Sequence, residues 1–138
     1  MKIIELHTGE YEITLLTKEE YEAHRKQIPP VNDWWWLRSP GDNSNYAAGV
    51  RSSGSVYNGG DGVRHDYDAA RPALKSAILN LPVGEKFIAL GNRWVMIDVG
   101  FAISEDVITH RRYDSKSNVW ETSELKAWLE DWAKEGET

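Results

Sequence analysis

The chain has 138 residues, a net charge of −6 at neutral pH and no cysteine. That length fits one domain, 1–138, with a core large enough to fold without staples. The lack of cysteine excludes disulfides, thiolate metal sites and cysteine nucleophiles, and the acidic balance speaks against a general nucleic-acid binder, which needs a basic field. No apolar run approaches the ~20 residues of a membrane span, so no membrane partner is expected. The start, Met1-Lys2-Ile3-Ile4-Glu5, meets an acidic residue too early for a signal peptide, and a cytoplasmic location is expected.

In chain order, residues 2–6 and 11–16 read as two strands, and Thr8-Gly9-Glu10 reads as the hairpin turn between them. Thr17-Lys18-Glu19-Glu20 is a capping box that opens a helix running to about Gln27, stopped by Pro29-Pro30. The run Trp34-Trp35-Trp36-Leu37-Arg38-Ser39-Pro40-Gly41 follows. Strand side chains alternate faces, so Trp35 is expected on one face and Trp34 and Trp36 on the other, either covered or with a ring left to a ligand. Residues 42–68 mix Val and Tyr at strand spacing with Gly, Ser, Asn and Asp. They read as a meander with turns at Ser52-Ser53-Gly54 and Asn58-Gly59-Gly60. Arg71-Pro72-Ala73-Leu74 reads as an edge strand because of its proline.

Lys86–Leu90 and Arg93–Val99 read as a hairpin about Gly91-Asn92, followed by short strands at 101–104 and 107–110. Leu125, Trp128, Leu129 and Trp132 recur at i, i+3, i+4, i+7, one face of a helix capped by Thr122 or Ser123, with Lys126, Glu130, Asp131 and Lys134 opposite. The expected fold class is α+β: two helices packed on short, mostly antiparallel strands.

Residues 32–74 resemble a family of bacterial and phage domains of unknown function. Its signature is matched here by Trp35–Gly41, Ala47-Ala48-Gly49-Val50, Gly54-Ser55-Val56 and Arg71-Pro72-Ala73-Leu74. Residues 86–132 resemble the family's other half through Arg93-Trp94-Val95-Met96-Ile97 and Tyr113–Ser123. In the family that half comes first. The resemblance therefore implies a C-type-lectin-like fold, here in circularly permuted order, with halves of about 1–75 and 82–138 joined near 75–85. The helix at 125–132 is then expected on the same sheet as the Trp34–Leu37 strand. Trp35, Trp36, Arg38 and Arg71 are the structural signature, the two arginines pairing with carboxylates or turn carbonyls. The resemblance also adds the phage particle as a location.

The candidate ligand-binding residues are Asn45, Tyr46, Arg51, Tyr57, Asn58, Arg64, His65 and Tyr67. They interleave Tyr and Arg, which give contact area at low entropic cost, with small polar residues that adapt their hydrogen bonds. Asp42, Asp61, Asp66 and Asp68 are possible oxygen donors to calcium, but no metal site is assigned. The four histidines show no paired metal spacing. No catalytic residue and no cofactor is expected; formylglycine-generating relatives use cysteines, which this chain lacks. The expected function is a non-catalytic recognition domain of bacterial or prophage origin for a protein or glycan. The alternative is a structural or oligomerising module of a phage or bacterial surface particle.

Overall fold

The computed structural model describes residues 1–137. Its elements are β1 (Lys2–Ile3), β2 (Glu12–Thr14), α1 (Lys18–His24) with a 3₁₀ turn at Arg25–Gln27, β3 (Trp35–Pro40), β4 (Tyr46–Val50) and β5 (Val56–Gly62). The chain continues through β6 (Ala69–Ala70), β7 (Ala73–Lys75), β8 (Lys86–Ala89), β9 (Asn92–Asp98), β10 (Phe101–Ser104) and β11 (Thr109–His110). A 3₁₀ turn at Trp120–Thr122 then leads into α2 (Glu124–Glu135). The class is α+β, with two helices and two mixed sheets among the described residues. One sheet has the order β1-β8-β9-β10-β7-β2, the other β11-β6-β3-β4-β5. The pairs β1–β8 and β3–β6 are parallel and the rest antiparallel.

The tryptophan run shows why the two sheets stay together. Trp35 and Trp36, on adjacent positions of β3, are both buried but belong to different apolar clusters. Trp35 meets the edge of Tyr21 from α1, at 5.6 Å between ring centroids. Trp36 meets Trp34 at 5.1 Å and Tyr113 at 5.6 Å, and its Nε1 donates to Arg111 O. The expected alternation holds, and all three rings are used for packing, Trp34 being half-buried against Trp36. Each cluster takes residues from both sheets: Trp36 and Ala47 join Leu74, Trp94 and Met96, while Trp35 and Val50 join Ala73, Ile97 and Ile103.

Both capping signals are realised. Thr17 accepts from Glu20 N while Glu20 accepts from Thr17 N, and Ser123 accepts from Lys126 N. The β8–β9 hairpin forms, but its turn is Leu90-Gly91 rather than the expected Gly91-Asn92, because Asn92 pairs with Ala89; Leu90 (φ 54°) and Gly91 (φ 67°) give the left-handed pair that a tight two-residue hairpin turn needs.

Four other expectations are corrected. Thr8-Gly9-Glu10 does turn, with Glu10 N donating to His7 O, but β1 and β2 do not pair. They lie at opposite edges of one sheet, β1 parallel to β8 and β2 antiparallel to β7. Asn58-Gly59-Gly60 is the middle of β5 rather than a turn, because its glycines let neighbouring backbone close in. A Cβ on Gly60 would stand 2.6 Å from Ala47 O. The strand after Pro72 lies between β10 and β2, not at an edge; the proline precedes the first ladder residue and removes no ladder donor. Finally, α2 rests on β2 of the six-stranded sheet, with Trp132 against Trp94 at 6.2 Å, and meets Trp36 of β3 only through the shared core. Leu125, Leu129 and Ala133 are its fully buried positions. No helix among the described residues is long and apolar enough to cross a membrane.

Candidate functional site

The eight candidate ligand residues are all exposed, but the structure divides them. Asn45, Tyr46, Arg64 and His65 line a groove of about 350 Å³ together with Gly62 and Lys116. Arg51 and Tyr57 sit at the opposite, Ser52–Gly54 end of the β4–β5 hairpin, roughly 15 Å away at ~3.4 Å per strand residue. Asn58 lies next to Tyr57 on β5. Tyr67 stands over His65, with ring centroids 5.1 Å apart.

The groove is held by the second half of the chain. Asn118 Nδ2 donates to Asn43 O (3.0 Å) and Tyr46 O (2.9 Å), and Asn118 N donates to Ser44 O (2.8 Å). Val63 bridges the groove's two walls: its N donates to Asn45 O, and its O accepts from Tyr113 N and Asp114 N. Arg64 is pinned where its Nε donates to Ser115 O at 2.8 Å. The 113–118 loop that does this is itself closed by Asp114, whose carboxylate accepts from Lys116 N, Ser117 N and Glu124 N. Burial opposes ionisation of Asp114, yet these backbone donors outweigh it and hold its carboxyl below the ordinary value of 3.8.

At the far end of the hairpin, Arg51 stacks over Tyr57 at 4.5 Å and donates to Ser55 Oγ at 3.2 Å. It borders a second, smaller pocket of about 200 Å³ that also reaches Tyr21, Arg25 and Arg71. Arg71 is only 1% exposed. It donates to Ser104 O, Pro29 O and Glu105 O, and its guanidinium lies 5.1 Å from the Trp35 ring. Burial brings its pKa down to about 10, with Asp106, Tyr21 and Glu105 pulling the other way. Arg38 donates to Leu15 O at 3.0 Å and faces Glu20 at 3.6 Å. Both signature arginines thus fasten chain paths: Arg71 through carbonyls, Arg38 through a carbonyl and a carboxylate.

Beside the groove, at the end of β5, Asp61, His65 and Asp68 converge. One ligand-capable atom from each lies within 4.8 Å of the other two. His65 Nδ1 is 2.5 Å from Asp61 Oδ1 and 3.1 Å from Tyr67 Oη, and Asp61 Oδ1 also accepts from Gly62 N at 2.9 Å. Asp68 is 3% exposed, and its Oδ2 has no hydrogen-bond partner of fixed donor type among the described residues. Burial, and then the facing Asp61 carboxylate, push the Asp68 pKa up to about 8, so that a protonated Asp68 donates to Asp61. Asp61 is held below its ordinary value: burial opposes this, but the hydrogen bonds from Asp68 and Gly62 and the neighbouring His65 prevail.

Asp42 and Asp66, the other two possible oxygen donors, lie outside this trio. Counting histidine pairs hides the arrangement, since it has one histidine and two carboxylates. The spacing Asp61-x3-His65-x2-Asp68 is the signal that would have found it. Lys116 and Asn118 carry no such signal, being more than fifty residues from the groove wall they complete. Comparisons with protein-family models, with curated proteins and with solved structures returned no match to this chain.

Proposed function

We propose that the protein is a non-catalytic recognition domain that binds a glycan in the groove formed by Asn45, Tyr46, Gly62, Arg64, His65 and Lys116. The observation that carries this reading is the lining. Donors and acceptors line the groove beside Tyr46, which is 37% exposed, while the one aliphatic lining residue, Val63, is buried. A sugar ring offers hydroxyls to such a wall and a C–H face to the tyrosine; a protein partner of ordinary kind asks for an apolar centre, which this groove lacks.

The scaffold reading belongs with it. We take residues 32–74 and 86–132 as the exchanged halves of a C-type-lectin-like domain, similar to the bacterial and phage domains of unknown function. In support, the first and last segments of the described chain meet: Glu137 accepts from Thr8 N and Oγ1 and from the Tyr11 hydroxyl. The joining segment near 75–85 is exposed from Pro82 to Glu85, as a surface connection between two halves should be, while Ser76 and Leu79 within it are buried.

The test is a glycan array followed by titration of the strongest hit. Tyr46→Ala, Arg64→Ala and Lys116→Ala should each weaken it by about 10-fold or more, the effect of removing a central contact. Arg51→Ala, at the other end of the hairpin, should leave it unchanged. Equal loss in Arg51→Ala, or full affinity in the three groove variants, would move the site elsewhere. A screen that yields only a protein partner would overturn the glycan assignment.

A further inference from the structure

We propose that Asp61, His65 and Asp68 form a binding site for a first-row divalent metal ion of the Mn²⁺ or Zn²⁺ type. Three features of the trio carry it. The donor set is one imidazole nitrogen and two carboxylate groups on a single short stretch of chain, already gathered within 4.8 Å. Its innermost member, Asp68, is 3% exposed, yet offers an oxygen for which no hydrogen-bond donor is available among the described residues unless it keeps its own proton. An ionised carboxylate in such a place needs a cation or a proton, because burying it bare is costly. The outermost member, His65, is exposed and gives an ion a way in from solvent.

The mixed set also selects the metal. Calcium and magnesium take oxygen ligands almost exclusively, whereas an imidazole beside carboxylates suits zinc and its first-row neighbours. Three protein donors leave one position open in tetrahedral geometry and three in octahedral, so a water or a ligand hydroxyl has room to coordinate. Two donors each ~2.1 Å from a metal at a right angle stand about 3.0 Å apart. Asp61 and His65, now 2.5 Å apart, must therefore open by about half an ångström, which the exposed imidazole allows. The backbone supports this: Gly62 lies against the His65 ring, and a Cβ there would come within 3.5 Å of its Cε1. Tyr67, stacked on the imidazole, fixes the ring plane, and Gly62 N holds Asp61 Oδ1. Such outer partners orient the donors of a metal site.

The inference is independent of the glycan reading, although His65 belongs to both, because it is read on the protein alone. Mn²⁺ is titrated into the full chain and followed by electron paramagnetic resonance. Zn²⁺ and Ca²⁺ are titrated by calorimetry, and the melting temperature is recorded with each ion. Mn²⁺ and Zn²⁺ should bind one ion per chain and raise the melting temperature. Ca²⁺ should bind at least about 10-fold more weakly, as expected for a site with an imidazole donor.

Asp68→Asn should abolish binding while keeping the protein folded, since the amide can donate to Asp61 as the acid does. His65→Ala, an exposed substitution that leaves the core alone, should weaken binding by about 10-fold or more, at least the loss seen for outer-shell partners. Asp66→Asn, a charge on the same loop but outside the trio, should change affinity less than about 2-fold, as a screened surface charge would. Undisturbed melting and no ion signal at millimolar metal would overturn the proposal and leave a proton-sharing acid pair. So would full binding in Asp68→Asn and His65→Ala, loss in Asp66→Asn equal to that in Asp68→Asn, or Ca²⁺ bound as tightly as Zn²⁺.

Discussion

Asp114 offers a sharp test of how the groove is built. Its carboxylate closes the 113–118 loop through Lys116 N (3.1 Å) and Ser117 N (3.0 Å), and it caps the start of α2 through Glu124 N (3.2 Å). It is 9% exposed. A hydrogen bond to a charged acceptor contributes ~1.5–3 kcal/mol net, and the Lys116 and Ser117 amides regain water when the carboxylate goes. Asp114→Ala should therefore cost about 3 kcal/mol, less than the ~4.5 kcal/mol of three such bonds at the low end because two of the freed amides are rehydrated. At roughly 3 °C per kcal/mol for a chain of this size, the melting temperature falls by about 10 °C. Asp114→Asn keeps one acceptor oxygen and should lose about half as much.

The pH dependence separates charge from shape. The folded carboxyl titrates below its ordinary 3.8, so as pH falls the unfolded chain takes up this proton first. The stabilisation is complete well above pH 4 and disappears as pH drops through the folded value. Urea unfolding of the parent and both variants from pH 3 to 7 should show a full Asp114→Asn deficit at pH 7 that narrows toward pH 3. A parent and an Asp114→Asn variant equally stable at pH 7 would refute the account. So would a deficit of constant size across the range.

Two further predictions concern the scaffold. Gly49→Ala places a methyl group in the Trp34 ring, which packs edge-on against Trp36 and Tyr57 and cannot move freely. It should cost ~1–3 kcal/mol in urea unfolding and red-shift the tryptophan emission, and a neutral result would mean that Trp34 is loosely held. The exchanged-halves reading predicts that residues 82–137 placed ahead of 1–81 still fold. Met1 lies by the Lys86 end of β8 and Gly136 by its Leu90 end, about four strand residues or ~13 Å apart, so a six-residue Gly/Ser linker suffices. Cooperative melting by circular dichroism is expected, and an unfolded permutant would sink the reading.

What could be read ahead of the structure was local. The Thr17–Glu20 box, the Leu125–Trp132 stripe and the β8–β9 hairpin are each decided within one or two turns of chain, and each forms, the hairpin with its turn one residue earlier than read. Strand partners are decided elsewhere. The turn at Gly9 (φ 94°) exists, but β1 finds its ladder on β8, more than eighty residues away, where Ile4 N also reaches Ile88 O. Glycine was ambiguous for the same reason. Gly59 and Gly60 look like a turn in isolation, yet they serve the approach of Gly41 and Ala47, which only the folded chain supplies. The candidate site followed this division. Asn45, Tyr46, Arg64 and His65 share one short segment, so composition could single them out; Lys116 and the Asn118 clamp come from the other half and could not be. Asp61, His65 and Asp68 stood within eight residues and were separately visible, but what sets them apart is the burial of Asp68 against Asp61. That depends on the Trp34–Ala69 and Asp68–Arg111 backbone bonds which draw the segment into the second sheet. Side-chain chemistry is written along the chain, but the environment that makes a carboxylate or an imidazole useful is set by contacts between distant segments.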